Sequence, residues 1–232
     1  MIKYIKTKIR AIFNKILFYF QIPKVVKTIN WSDKTALRIG GIINSLLERK
    51  ISRAKKLLDV NISDEYITLK NKVDIKADAH SLPMISDASV DFIGSSHTIE
   101  HLTNPIKALK EWQRVLKKGG IIYACIPYYK KTFDHNRSVT KIDHLIEDYE
   151  RDVNLEDQTH TEEFIKNHDV QKDVCFKDKE SWYQNFLTNP SIYTHYHVFD
   201  LDSVEEMMNF CGFKTLTVFY NGISIEYFGI KP

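Results

Sequence analysis

The chain has 232 residues, of which 43% are hydrophobic and 27% charged, and these values predict one globular domain with a sizeable core. The formal net charge is +3, but positions 1–28 hold seven Lys and Arg residues and no acidic residue, so the remaining chain is slightly acidic. A slightly acidic body argues against a nucleic-acid-binding protein, because affinity for the phosphate backbone is built from clustered Lys and Arg on the binding face.

Residues 1–23 predict the first element, a basic amphipathic helix. Apolar side chains recur at every third or fourth position: Ile2, Ile5, Ile9, Ile12, Ile16 and Phe20. This face lies opposite the lysines, and the segment is too short and too charged to span a bilayer. Two interpretations remain open: the helix lies on an anionic membrane surface, or it packs on the sheet or on a second subunit. We assign residues 1–30 to this helix and residues 31–232 to the main domain.

Short apolar runs then alternate with helical patterns. The runs ALRI, KKLLDV, VDIKA and VDFIG end at Gly40, Asn61, Asp78 and Ser95, and the run IIYACIP follows Gly119 and Gly120. Strands that are separated by crossover segments predict a parallel sheet. In such a sheet, ligands bind at the carboxyl ends of the strands.

The stretch NPIKALKEWQRVLKKGG predicts the clearest helix. Asn104 caps it, Pro105 lies in its first turn, and Gly119 and Gly120 end it. The apolar positions that predict its buried face are Ile106, Leu109, Trp112, Val115 and Leu116. The carboxyl end predicts a helix from Ser203 to Gly212 and two closing strands, with a turn at Asn221 and Gly222 between them.

The segment SSHTIEHL, residues 95–102, follows the fourth predicted strand. A helix here would place His97 and His101 on one face, with Glu100 nearby, a spacing found in some zinc sites. The motif of those sites is HExxH, however, whereas these residues read HTIEH. We therefore expect no metal site.

Several features of residues 36–127 occur together in one order: LP followed by the pattern D.S.D before the fourth strand, EHL after it, and RVLKKGG at the end of the next helix. This stretch resembles the class I S-adenosylmethionine-dependent methyltransferases. The resemblance implies an α/β, Rossmann-like fold with a mostly parallel seven-stranded sheet and an antiparallel last strand. It also implies S-adenosylmethionine as the cofactor, and a methyltransferase domain over residues 31–232.

The resemblance implies a cofactor site over the strand ends. Its residues would be Gly40 and Gly41 at the amino-acid part, Asn61 at the ribose, Asp78, Ala79 and His80 at the adenine, and Ser96 and His97 at the methionine part. Asp78 can accept a hydrogen bond from the adenine amino group; the alternative is that it only caps a turn.

Two features depart from the family pattern. Its three spaced glycines are reduced to Gly40 and Gly41, and the acidic residue after the second strand is replaced by Asn61. Asparagine can bond a ribose hydroxyl, but without a charge-assisted hydrogen bond. Asp59 and Asp64 are the acidic residues close enough in sequence to compensate.

Residues 128–200 form a charged, aromatic insertion between the fifth and sixth strands. We predict that it is a helical lid that selects the methyl acceptor. The predicted substrate-binding residues are Lys130, Lys131, Arg137, His144, His195 and His197.

The acceptor decides whether a base is needed. A hydroxyl acceptor requires one, and His135 beside Asp134 is the first choice, with His97 second. An anionic oxygen requires none, and the basic residues of the lid then act as charge clamps.

The lid resembles, more weakly, a branch often associated with bacterial surface-sugar biosynthesis. We therefore expect O-methylation of a small sugar, nucleotide-linked or phosphorylated metabolite in capsule or lipopolysaccharide assembly, in the cytoplasm or at the inner face of the membrane. Two other classes remain open: a non-catalytic partner subunit and a metal-dependent hydrolase that uses the histidines. The three cysteines form no CxxC pair, which suits a reduced intracellular protein.

Overall fold

A computed structural model describes residues 18–62, 73–155, 159–173, 175–176 and 178–232. The strands are β1 Thr35–Gly40, β2 Lys56–Asn61, β3 Ile75–Lys76, β4 Val90–Ser96, β5 Leu116–Pro127, β6 Lys214–Tyr220 and β7 Ser224–Ile230. The α-helices are numbered α1 Lys24–Lys27, α2 Ser45–Ile51, α3 Pro105–Val115, α4 Ile142–Glu150, α5 Thr159–Asn167, α6 Lys179–Thr188, α7 Pro190–Tyr193 and α8 Leu201–Phe210.

The seven strands form one sheet in the order β3-β2-β1-β4-β5-β7-β6. All pairs from β3 to β5 are parallel, whereas β7 runs antiparallel to both β5 and β6. This topology confirms the predicted α/β fold with its antiparallel last strand. The chain leaves β1 toward β2 on one side and reaches β4 on the other, and ligands bind at such a switch point, beyond the carboxyl ends of the strands.

The sheet separates two apolar layers because successive strand residues point to opposite faces. Leu37 and Ile39 of β1 pack in one layer with Trp112 of α3, whereas Ala36 packs in the other with Phe92. All five side chains are almost fully buried. This packing holds β1 and β4 rigidly at the centre of the sheet.

Two predicted helix ends need correction. Helix α3 ends at Val115, and β5 begins at Leu116, so Gly119 and Gly120 lie inside the strand. The backbone explains this, because the Gly119 N–H donates to the Lys231 carbonyl at 2.8 Å, and the Lys231 N–H donates to the Gly120 carbonyl at 2.9 Å. Pairing with the chain end therefore satisfies groups that a helix terminus would leave unpaired.

Helix α8 begins at Leu201, before the predicted Ser203, because Asp200 is its N-cap. The Asp200 side chain accepts from the Ser203 N–H, and the Ser203 hydroxyl accepts from the Asp200 N–H, both at 2.9 Å. Ser203 is thus the second half of a capping box.

Only the end of the predicted N-terminal helix is described, since residues 1–17 lie outside the described residues. Residues 18–21 are helical, and Phe18 packs its ring 5.8 Å from that of Phe219 and 6.2 Å from that of Phe228. Tyr19 and Phe20 are exposed on the other side. In the part of the chain that the structure describes, no helix has the length and apolar character needed to cross a membrane.

The insertion between β5 and β6 contains helices α4 to α7 and a small apolar cluster of its own. Phe164, Trp182 and Phe186 form that cluster. Leu155 and Ile192 of the insertion line the cavity at the sheet edge. The insertion therefore contributes directly to the candidate site.

Candidate functional site

A cavity of about 320 Å³ opens where the strands β1 to β4 end. Its walls come from residues 39–41, 60–62, 77–80 and 97–98, together with His101, Leu102, Leu155 and Ile192. The volume falls in the range of small-molecule sites, roughly 300–1,000 Å³. The structure thus brings together seven of the eight predicted cofactor residues; the eighth, Ser96, is not among the residues that line the cavity.

The loop after β1 needs glycine because it packs on the segment after β4. A Cβ on Gly40, whose φ is +78°, would lie 1.8 Å from Thr98 Oγ1, and a Cβ on Gly41 would lie 2.6 Å from the Ser96 carbonyl oxygen. The Gly41 N–H donates to that same oxygen at 3.0 Å. The backbone amide of Gly41 is therefore occupied within the protein and is not available to a ligand.

Asp78 and His80 form a pair at the end of the cavity. Asp78 Oδ1 accepts from the His80 N–H at 2.9 Å and lies 2.5 Å from His80 Nδ1. His80 Nε2 accepts from the Asn104 N–H at 3.3 Å, so Nδ1 carries the ring hydrogen. The hydrogen bond from His80 lowers the pKa of Asp78. Both contacts use Oδ1, which leaves Oδ2 of this half-exposed carboxylate for a ligand.

Asp59 does not compensate for Asn61. Its two oxygens each accept from the Arg38 guanidinium at 2.7 Å, and Arg38 also contacts Glu48 at 3.0 Å. Asp59 is buried in this pair and does not line the cavity. Asp64 lies outside the described residues. Asn61 Oδ1 accepts from the Ile62 N–H at 2.8 Å, so its amide N–H groups are what it offers a ligand.

His97 lies at the cavity wall in a left-handed conformation, with φ of +49°. Residues Ile99–His101 form a single 3₁₀ turn, so His97 and His101 do not share a helical face as predicted. His97 Nδ1 lies 3.4 Å from a carboxylate oxygen of the buried Glu100. Burial opposes the ring's charge, but the contacts with Cys125 and Glu100 outweigh it and raise the pKa of His97 to about 11. A protonated ring is unsuited to the predicted role as a base.

Asp134 and His135, predicted together as catalytic residues, have different partners in the structure. Asp134 Oδ2 lies 2.5 Å from His195 Nδ1, and Oδ1 accepts from Arg137 at 2.9 Å. His135 instead lies 3.6 Å from Asp169 and is not among the residues that line the cavity. Neighbours in sequence diverge here because the Asp134 carboxylate is 3% exposed and faces inward, whereas a quarter of the His135 side chain is exposed.

Arg137 is also not a substrate clamp. Its guanidinium donates to Asp134, to Glu163 and to the carbonyl oxygens of His195 and Tyr196, and its side chain is 1% exposed. The guanidinium of Arg137 therefore donates its hydrogen bonds to residues of the insertion and not to a substrate. Lys130 and Lys131, by contrast, are exposed after β5, although neither lines the cavity.

His101 lines the cavity but was not predicted from sequence as a site residue. Its Nδ1 lies 2.9 Å from the Thr194 carbonyl oxygen, which can only accept, so a neutral ring keeps Nε2 as an acceptor. Burial and the nearby His195 lower the pKa of His101 to about 4. The His101 and His195 rings lie 4.7 Å apart, edge to face. His101 follows Glu100 in the EHL motif, so the motif identified the position of His101 but did not predict its role.

His144 and His197, predicted to bind substrate, lie away from the cavity lining. They meet Asp148 and His160 in a group named here the Asp148 cluster. Sequence reasoning missed Asp148 and His160, although His144 and Asp148 are one helical turn apart on α4. The histidines hold the pKa of Asp148 below its usual range despite its burial.

Comparison with known proteins finds a matching domain family and solved structures with a similar fold. Residues 39–124 match the methyltransferase domain family. No curated protein sequence gives a significant match to the chain.

Solved structures of similar shape include a S-adenosylmethionine-dependent methyltransferase from Aquifex aeolicus, with 16% identity over 90% of this chain and 88% of that chain and a TM-score of 0.50. Another, from Mesorhizobium loti, has 9% identity over 89% and 95% of the two chains and a TM-score of 0.52. A third is a complex of the Haloferax volcanii Trm112 methyltransferase activator with a methyltransferase, at 13% identity over 89% and 87% and a TM-score of 0.52. Likeness at these identities concerns the fold.

Proposed function

We propose that this chain, which contains a class I methyltransferase domain with S-adenosylmethionine as its cofactor, O-methylates a small sugar, nucleotide-linked or phosphorylated acceptor. The observation that carries the proposal is the cavity at the β1/β4 switch point, walled by the glycine loop, Asn61 and Asp78. We propose surface-glycan assembly as the pathway because the insertion resembles, more weakly than the domain does, a branch associated with bacterial surface-sugar biosynthesis.

The cavity residues fit the chemistry of that cofactor. Asp78 Oδ2 would accept from the adenine amino group, and the Asn61 amide would donate to a ribose hydroxyl. Among the described residues that line the cavity, His97 is the one whose side chain carries a positive charge at neutral pH. We assign it to the methionyl carboxylate, in place of the Gly41 amide that bonds Ser96.

His101 is our choice for the base. The bound sulfonium supplies an activated methyl group and a neutral leaving group, so the chain contributes positioning and proton removal. An oxygen that is being methylated while it still carries its hydrogen becomes strongly acidic. A base with a pKa near 4 therefore suffices, and its Nε2 is free of protons at neutral pH. His195, held by Asp134 beside His101, is a positioning residue.

Lys130 and Lys131 are the basic residues of the insertion that we retain for an anionic acceptor. They follow β5 at the same edge of the sheet as the cavity, and both are exposed. A phosphate on the acceptor would pair with these ammonium groups without displacing an existing buried ion pair.

Residues 18–27 support a peripheral contact with a membrane, with a second copy of the chain as the alternative. Tyr19, Phe20 and Val25 are exposed beside Lys24 and Lys27, while Phe18 is buried. Exposed apolar residues next to lysines suit an anionic membrane surface. Sedimentation with anionic vesicles but not with neutral ones is the expected result, and absence of sedimentation with both would contradict the membrane contact.

Transfer of a labelled methyl group tests the proposed activity. The protein is incubated with methyl-labelled S-adenosylmethionine and pools of sugar phosphates and nucleotide sugars, and products are separated by mass. Label in a sugar-containing product supports the proposal. Failure of the folded protein to bind S-adenosylmethionine favours a non-catalytic partner subunit, for which the hydrogen bond from the Gly41 amide to Ser96 is the structural reason.

A further inference from the structure

Three histidines of the insertion surround one carboxylate oxygen of Asp148. Asp148 Oδ2 lies 3.0 Å from His197 Nε2, 3.4 Å from His144 Nε2 and 3.4 Å from His160 Nε2. The four atoms that can act as ligands all lie within 4.8 Å of one another. An ion bound tetrahedrally by bonds of about 2.0–2.1 Å holds its ligand atoms about 3.3 Å apart. The three distances from Asp148 are close to that value.

The hydrogen bonds of the Asp148 cluster place the lone pairs of two acceptor atoms, His197 Nε2 and Asp148 Oδ2, opposite each other. His197 Nδ1 lies 3.1 Å from the Leu102 carbonyl oxygen, which can only accept, so this nitrogen carries the ring hydrogen. In a neutral ring, Nε2 then presents a lone pair to Asp148 Oδ2. His160 Nε2 is buried and has no hydrogen-bond partner among the described residues. These contacts require a cation: either an extra proton on the rings or a metal ion.

We propose that His144, Asp148, His160 and His197 bind one divalent transition-metal ion of the Zn²⁺ type. Three imidazoles and one carboxylate suit Zn²⁺ and its neighbours and do not suit Mg²⁺ or Ca²⁺, which prefer oxygen ligands. The Leu102 carbonyl orients the His197 ring in the way that metal-bound histidines are commonly held.

The ion has a structural role. Four protein ligands fill a tetrahedral shell, so no open position remains for a reacting water, which argues against the metal-dependent hydrolase. The ligands join α4, α5 and the segment before α8. His197 also connects the cluster to the carbonyl of Leu102, a residue of the cavity wall. The ion therefore fixes the insertion against the wall of the cofactor site.

Metal binding by the full chain tests the inference, independently of any methyl transfer. The purified protein is stripped with a chelator, titrated with Zn²⁺ by calorimetry, and separately loaded with Co²⁺ for absorption spectroscopy. We expect one ion per chain, the intense visible bands of tetrahedral Co²⁺, and a higher melting temperature with Zn²⁺.

Variants locate the ion. His144→Gln should weaken Zn²⁺ binding at least tenfold; it is the safest change for folding, because the His144 side chain is 43% exposed. His135→Gln removes a histidine of the same insertion outside the cluster and should bind as the wild type does. His195→Gln is the second control, because Glu100, His101 and His195 form the other group of potential ligands.

Two outcomes would overturn the proposal. One is wild-type protein that binds neither Zn²⁺ nor Co²⁺, which would make the cluster an imidazolium–carboxylate network. The other is binding that survives His144→Gln unchanged and is lost in His195→Gln.

Discussion

His101 and His135 provide a direct comparison of two possible bases. His101 lines the cavity and keeps Nε2 as an acceptor, whereas His135 lies outside the lining and contacts Asp169. The relevant difference is therefore access to the acceptor, since both are histidines near the same end of the sheet.

We predict that His101→Ala lowers the turnover number roughly 10²–10⁴-fold, the usual effect of removing a general base. His135→Ala is the matched control and should retain the wild-type rate. Steady-state kinetics with one identified acceptor measure both. A large loss in His135→Ala with a small one in His101→Ala would return the base to the position first predicted from sequence.

The pH dependence of the rate gives a second test of His101. Its pKa is lowered to about 4, so the ring stays unprotonated, and able to accept a proton, above that pH. We predict a rate that is flat between pH 6 and pH 8. A histidine of ordinary pKa, about 6.5, would instead lose activity progressively below pH 7. A fall in rate by half between pH 7 and pH 6 would contradict the assignment.

The charge on His97 depends on its contacts with Cys125 and Glu100. His97 has a raised pKa and keeps its proton through neutral pH, so affinity for S-adenosylmethionine should be constant from pH 6 to pH 8. The double variant Glu100→Gln with Cys125→Ala removes both groups that raise the pKa of His97, so that pKa falls toward its ordinary value. In that variant the affinity should fall as pH rises over this range, as measured by calorimetry. An affinity independent of pH in both proteins would remove His97 from the carboxylate site.

At the scale of elements, the loop after β1 is constrained by the segment after β4. Gly40 and Gly119 have nearly the same φ, +78° and +76°, but a Cβ on Gly40 would meet Thr98, whereas a Cβ on Gly119 would meet nothing within 4 Å. Alanine substitutions at Gly40 and Gly119 therefore separate two losses of stability: the one due to the left-handed backbone and the one due to the steric clash with Thr98.

We predict that Gly119→Ala lowers the free energy of unfolding by about 1 kcal/mol, the backbone cost alone. Gly40→Ala should cost several times more and should also weaken cofactor binding, because the loop must move off the segment after β4. Urea denaturation measures the stability. Equal losses in the two variants would show that the contact with Thr98 does not constrain the loop.

Across the whole molecule, the sheet was predictable from local signals. The runs that end at Gly40, Asn61, Asp78 and Ser95 lie in or next to β1, β2, β3 and β4, and those strand ends surround the cavity. The positions of these strands and their parallel pairing follow from apolar runs and crossover segments, which are local in sequence. The seven-stranded sheet with its antiparallel last strand was implied by the resemblance to class I methyltransferases.

The partners of the insertion were not predictable in the same way. Asp134 bonds His195, 61 positions away, rather than its neighbour, and His197 meets Asp148 at a separation of 49 positions. Such pairs depend on how helices α4 to α7 fold back on the loop after β4. A single sequence contains no periodic signal for that packing.

Calorimetric titration with S-adenosylmethionine tests the central claim, that the cavity at the β1/β4 switch point binds this cofactor. We predict a dissociation constant below about 1 mM, a binding free energy of at least about 4 kcal/mol. Asp78→Ala should weaken it by about 1–3 kcal/mol, because the adenine amino group then loses its hydrogen-bond acceptor. No detectable binding to the folded wild-type protein, or an unchanged affinity in folded Asp78→Ala, would contradict the account.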